Sequence, residues 1–162
     1  MSRAICLIVS LFALGCAPES DGATQEDLAL LRELSPGITQ ECVDAAKKDG
    51  IVSLPRDVRE CFAMDDSKRW AGLWLDEFEG SRFCAEPSDR CTSNTNGQGV
   101  WLSFADEIKD TARPDRYATD ELYEIEFIGR LTSETGSFGH MGLSQKEIVV
   151  EELIRIERVP ET

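Results

Sequence analysis

The sequence predicts an α+β protein in which a short helical segment precedes a small antiparallel β-barrel. Three observations predict it. Leucines and small apolar residues recur at helical spacing over residues 24–66. From about residue 67 to residue 160 the apolar residues alternate with polar ones in short runs, as in strands with one buried face. Glycines stand where such strands would turn corners, at Gly80 and through residues 136–142.

The chain opens with a basic start, Met1-Ser2-Arg3, then an apolar run over residues 4–14, then Gly15-Cys16-Ala17-Pro18. The run is too short to span a bilayer as a mature helix, and its flanks are those of a secretory signal. Phe12-Ala13-Leu14-Gly15-Cys16 resembles the lipobox of bacterial lipoproteins, with Ala13 where leucine is commoner. The resemblance implies that residues 1–15 are a signal peptide removed by a signal peptidase of the lipoprotein type. It implies a diacylglycerol on the Cys16 thiol and a further acyl chain, such as palmitate, on its new amino group. Residues 16–23 then form a polar tether. The alternative is a soluble secreted protein with Cys16 an ordinary residue near the cut, but no Ala-x-Ala-like site follows the apolar run. By analogy with enteric sorting, the lack of an aspartate after the cysteine points to the outer membrane, facing the periplasm. Several acyl chains on one residue anchor stably, whereas one chain binds reversibly.

The helical segment reads in order. Thr24-Gln25-Glu26-Asp27 is an N-terminal cap for a helix with Leu28, Leu30, Leu31 and Leu34 on one face. Ser35-Pro36-Gly37 stops it. Thr39 caps a second helix through Cys42, Val43, Ala45 and Ala46, and Gly50 sits where a C-terminal cap belongs. Leu54-Pro55-Arg56-Asp57 suits a third short start with Pro55 in its first turn, and Val58, Cys61 and Phe62 share a face.

The strands follow. Residues 70–83 read as one long strand carrying Trp74 and Phe78, with a bulge or bend at Gly80. Asn96-Gly97-Gln98-Gly99 is a turn into Val100-Trp101-Leu102-Ser103-Phe104, where Val100, Leu102 and Phe104 point inward. Residues 105–111 suit a short helix or turn. Residues 122–131 put Tyr123, Ile125, Phe127, Gly129 and Leu131 on one face. Residues 147–156 form one bent strand or two short ones.

This second part resembles OB-fold domains in layout: a long first strand with the glycine of Phe78-Glu79-Gly80-Ser81, a helix or loop before a later strand, and a closing strand after Gly139-His140-Met141-Gly142. It is also similar to small uncharacterised bacterial proteins that carry a Phe-Ile-Gly-Arg element, here Phe127-Ile128-Gly129-Arg130, followed by a Gly-His-x-Gly turn. That resemblance implies no activity. Nucleic-acid-binding OB barrels present a basic face with stacking aromatics. This chain is acidic, so nucleic acid is not expected as a partner.

The formal net charge is −14. Such a charge opposes phosphates and anionic lipid and favours solubility, or attraction to a cationic partner. After loss of Cys6 and lipidation of Cys16, four cysteines remain: Cys42, Cys61, Cys84 and Cys91. An even number in an oxidising compartment points to disulfides. Three pairings exist. Pairs 42–61 and 84–91 are expected, because the first two fall in the helical segment and the last two bracket a turn-rich loop. A zinc site lacks both a Cys-x-x-Cys pair and a second histidine, so no metal or other cofactor is expected.

His140 is the only histidine. Ser137, Ser144 and Ser81 are its nearest candidates for a Ser–His pair, but none sits in a Gly-x-Ser-x-Gly elbow. A glycine-flanked histidine suits a turn whose ring bonds a nearby backbone group, so Gly80, Gly139, His140 and Gly142 are read as structural turn residues. Asp76, Glu77 and Glu79 form one acidic cluster and Asp106, Glu107 and Asp110 another; both read as solvated faces. Trp74 and Trp101 are core or barrel-mouth residues, and an exposed one beside a groove would mark a ligand contact.

Three functions compete. The first is a non-enzymatic envelope module that binds a protein or cell-wall component. The second is an inhibitor of a cationic enzyme such as a lysozyme, using a projecting acidic loop between Cys84 and Cys91. The third is a hydrolase built on His140 or the acidic clusters.

Overall fold

The computed structural model describes residues 22–92, 99–112 and 121–160. Cys16, the apolar run before it and most of the Asn96-Gly97-Gln98-Gly99 turn lie outside the described residues.

Helix α1 (Gln25–Leu34) starts on a capping box. The Thr24 hydroxyl accepts the Asp27 N–H, and the Asp27 carboxylate accepts the Thr24 N–H. Of its leucines only Leu28 is buried; Leu30 and Leu34 are half exposed, since α1 packs on little besides the next helix. Helix α2 (Gln40–Asp49) is capped by Thr39 and stopped at Gly50, whose φ is 87°. Leu28, Val43 and Ala46 form a small core with Leu31, Ile38 and Leu54 against it.

The third helix does not begin at Pro55. A 3-10 turn (Ile51–Ser53) follows Gly50, and α3 is the single turn Val58–Cys61. Asp57 starts it because its carboxylate accepts the Arg59 N–H at 3.0 Å, which neither Leu54 nor Pro55 can do. The Cys42–Cys61 disulfide, with Cα atoms 5.4 Å apart, staples α2 to α3. It closes 19 residues of sequence separation. Cys42→Ser with Cys61→Ser is therefore expected to lower stability by about 3 kcal/mol in the loop-entropy account. Urea unfolding measures it, and an unchanged midpoint would show that packing alone holds the segment.

Five strands close a barrel in the order β1-β2-β3-β5-β4. They are β1 (Lys68–Glu77), β2 (Gly80–Ala85), β3 (Val100–Phe104), β4 (Glu121–Leu131) and β5 (Lys146–Arg158), with a short helix α4 (Lys109–Ala112) between β3 and β4. The run expected as one bent strand is a hairpin. Gly72 to Glu77 pair with Ala85 to Gly80, so Gly80 opens β2 rather than bending β1, and Glu79 takes a left-handed φ of 56° in the turn.

The barrel is mixed rather than purely antiparallel. β3 pairs with β5 in parallel, Val100 opposite Lys146 through Phe104 opposite Val150. The reason is arithmetical: strand direction cannot alternate all the way round a closed ring of five, so one neighbouring pair must run the same way. β5 is one long strand, and its register against β4 shifts at Glu126/Phe127 and at Ile128/Gly129.

Alternate residues fill the interior: Trp74, Phe83, Leu102, Tyr123, Ile125, Phe127, Ile148 and Val150. Val100 and Phe104, expected inward beside Leu102, are partly buried against this core. The helical segment docks on the β4–β5 connection. Phe62 meets Phe138 edge-on at 4.9 Å, and the Leu34 carbonyl accepts the Ser137 N–H.

Candidate binding cleft

A cleft of about 280 Å³ opens at one end of the barrel, between the β1–β2 turn and β3. Its floor is the core itself. The Trp74 indole donates to Ser81 Oγ at 2.9 Å, and that hydroxyl donates to the Leu102 carbonyl at 2.5 Å. Ser81 is thereby committed to the core. The walls are Trp101, Ser103 and Phe104 from β3, Glu77 and Glu79 from the turn, and Lys109 from α4.

Trp101 is held by the glycine-rich connection. A Cβ on Gly139 would lie 2.3 Å from the Trp101 ring, and its φ is +71°, so both contact and conformation require glycine. His140 then begins a 3-10 turn (His140–Gly142), and its Nε2 lies 3.3 Å from Glu79 Oε2. That pair ties the β4–β5 connection to the β1–β2 turn. Phe78 and Met141 flank the two paired residues in sequence and are 75% and 82% exposed.

The structure separates the residues singled out in the sequence. Trp74 is core, 1% exposed; Trp101 is half-buried and forms a wall. Among the described residues no backbone group bonds the His140 ring. The ring faces Glu79 and its side chain is 40% exposed, because the turn sits at the protein surface. Gly142 takes a φ of +69° in the same turn. The first acidic cluster is split: Asp76 is buried, while Glu77 and Glu79 face the cleft. In the second, Asp106 pairs with Lys109 and Glu107 with Arg59. Among the described residues no cluster of His, Cys, Asp and Glu has the makings of a metal site, and no helix is long and apolar enough to cross a membrane.

The Cys84–Cys91 disulfide closes a loop whose residues 85–90 are all exposed. The Glu86 N–H donates to the Ala71 carbonyl at 3.0 Å, fixing the base of the loop to β1.

Two electrostatic features escape the sequence reading. Arg59 binds Asp57 through two nitrogens and reaches Glu107 at 2.8 Å; Glu151 accepts from Arg130 at 3.0 Å and from Ser67 at 2.7 Å. The Arg59 guanidinium holds the Asp57 carboxyl below its usual range, and Asp57 in turn raises Arg59. This network clamps α3 to the barrel.

The second is Glu147, 7% exposed. Burial pushes its pKa up to about 7, opposed by the Ser103 hydroxyl, which donates to Oε1 at 2.7 Å. The nearby Gly139 backbone also opposes the shift. Glu147 therefore sits beneath the residue that holds Trp101. Its only sequence signal is a glutamate opening the apolar run Ile148-Val149-Val150. Strand alternation puts it on the outer face, and only the folded β4–β5 connection covers it. Compared with known proteins, the chain matches no family model, no curated protein and no solved structure.

Proposed function

We propose that this is a lipid-anchored protein of the bacterial cell envelope, held on the outer membrane through Cys16, whose barrel binds a basic protein partner and performs no chemistry. The observation that carries the binding reading is the cleft. It sets the carboxylates of Glu77 and Glu79 beside Trp101 and Phe104, next to a turn bearing exposed Phe78. Carboxylates beside half-buried aromatic surface suit a lysine or arginine flanked by apolar residues, since the charge is attracted while the apolar stem leaves water. The chain's net charge of −14 favours the same partner over nucleic acid or an acidic wall polymer.

Two further features support the wider reading. The disulfides Cys42–Cys61 and Cys84–Cys91 suit an oxidising envelope compartment. The strand order, its closure and the helix between β3 and β4 support a barrel of OB type.

A photo-crosslinking residue at Phe78 tests the cleft in intact cells, with Ile154, an exposed apolar residue of β5, as control. One discrete adduct at 78 and none at 154 is expected, and it should disappear in Glu77→Lys with Glu79→Lys. Equal labelling at both positions, or an adduct indifferent to the charge reversal, would overturn the reading.

One observation favours the inhibitor alternative: the exposed loop at residues 85–90, closed by a disulfide and carrying Glu86 and Asp89. Inhibition of a lysozyme that is lost in Asp89→Lys and kept in Glu77→Lys with Glu79→Lys would move that alternative ahead.

A further inference from the structure

We infer that the tip formed by the last turn of α2 and the 3-10 turn after it rests on the lipid bilayer; the inference rests on the anchor at Cys16. Val52 is fully exposed, at 100%, and its neighbour Ile51 is 41% exposed. Among the described residues nothing covers Val52. Two adjacent branched apolar side chains in water, at the apex of a turn, gain by entering an apolar phase.

Exposed cations stand beside this tip. Lys47, Lys48 and Arg56 are all exposed, interspersed with the exposed carboxylates of Asp44 and Asp49, and Lys48 lies 3.7 Å from Asp49. Screening limits interactions between exposed charges to about 10 Å, so the acidic remainder of the chain acts only weakly on a bilayer touching the tip.

The position of the tip selects lipid over a protein partner. The described chain enters at Gly22 pressed against the last turn of α2: a Cβ there would lie 2.0 Å from the Lys47 carbonyl oxygen. The Ala23 N–H donates to the Ala46 carbonyl at 3.0 Å. Few residues separate Gly22 from Cys16, and an extended chain advances at most about 3.6 Å per residue. A lipid on Cys16 thus holds Gly22, and the α2 tip against it, within about 20 Å of the membrane surface. The anchor supplies the local concentration, and the tip supplies a second, orienting contact.

The test uses the full lipidated chain in phosphatidylethanolamine vesicles containing phosphatidylglycerol, with a nitroxide on Val52→Cys or, as control, on Met141→Cys. Both native side chains are exposed, so neither label disturbs packing. Shielding of position 52 from a water-soluble nickel chelate, roughly fivefold or more relative to 141, is expected, together with increased collision with oxygen. Lys47→Glu with Lys48→Glu should reduce the shielding while the protein still floats with vesicles. A floating protein whose position 52 is as open to nickel as 141 would overturn this inference and leave the anchor standing. Shielding from both nickel and oxygen would indicate a contact with protein, such as a second copy, and would also overturn it. A protein that fails to float would overturn the anchor and the inference together.

Discussion

Trp74→Ala is expected to destabilise the protein by about 4 kcal/mol. The ring is 1% exposed, stacked on Tyr123 at 5.2 Å between centroids and edge-on to Phe104 at 5.4 Å. Its removal leaves a cavity where β1, β3 and β4 face one another, and closed strands cannot collapse far into it. It also takes the indole donor from Ser81, although that hydroxyl keeps its bond to the Leu102 carbonyl. Trp74→Phe keeps most of the buried area and loses the donor, so a cost of about 1–2 kcal/mol is expected. Trp101→Ala should cost less than Trp74→Ala, because its ring is only half-buried, and should impair crosslinking from position 78. Urea denaturation of the three variants separates core from cleft. A Trp74→Ala midpoint equal to the wild type would show that the interior does not depend on this ring.

Glu147→Gln is expected to stabilise the protein at pH 8 by as much as about 3 kcal/mol and to change little at pH 4. The sign follows from the raised pKa. The carboxyl titrates at about 7 in the folded protein and near its ordinary value of 4.5 when unfolded. Between those values the native state holds the proton and the unfolded state has lost it. Folding is then coupled to proton uptake, so this group's contribution falls as pH rises from 4.5 to 7, and above 7 the full cost of a buried carboxylate is present. Glutamine keeps an acceptor for the Ser103 hydroxyl and carries no charge to desolvate. Asp57, whose pKa is lowered, works in the opposite sense and loses stability on acidification through its folded pKa, so the difference between variant and wild type is the informative quantity. A stability difference that is flat from pH 4 to 8 would show that Glu147 keeps an ordinary carboxyl pKa.

The same burial links Glu147 to the cleft. It lies close to the Gly139 backbone, and Gly139 packs against Trp101.

Local chemistry was legible in the sequence. Thr24, Thr39 and Gly50 act as caps because a hydroxyl or a missing Cβ settles a helix end within a few residues. Cys42 with Cys61, and Cys84 with Cys91, could be paired because each pair lies close along the chain, in one local segment. The alternation in Tyr123, Ile125 and Phe127 marked the inner face of β4 because side chains switch faces at every residue of a strand.

What depended on distant parts of the chain was not legible. Residues 70–83 read as one strand because alternation is blind to a two-residue turn; only pairing of Glu77 with Gly80 reveals the hairpin. The parallel contact of β3 with β5 follows from closing a ring of five strands, a property of the whole barrel. The cleft arises the same way, from Glu77 and Glu79 on one hairpin, Trp101 and Phe104 on β3, and a glycine turn far along the chain. By itself the sequence determined the ends of the first two helices, the disulfide partners and the inner face of β4, which short-range sterics and hydrogen bonding control. The tertiary structure alone decided which carboxylate is buried, which tryptophan faces solvent and where His140 points, because burial depends on what the rest of the chain lays over a residue.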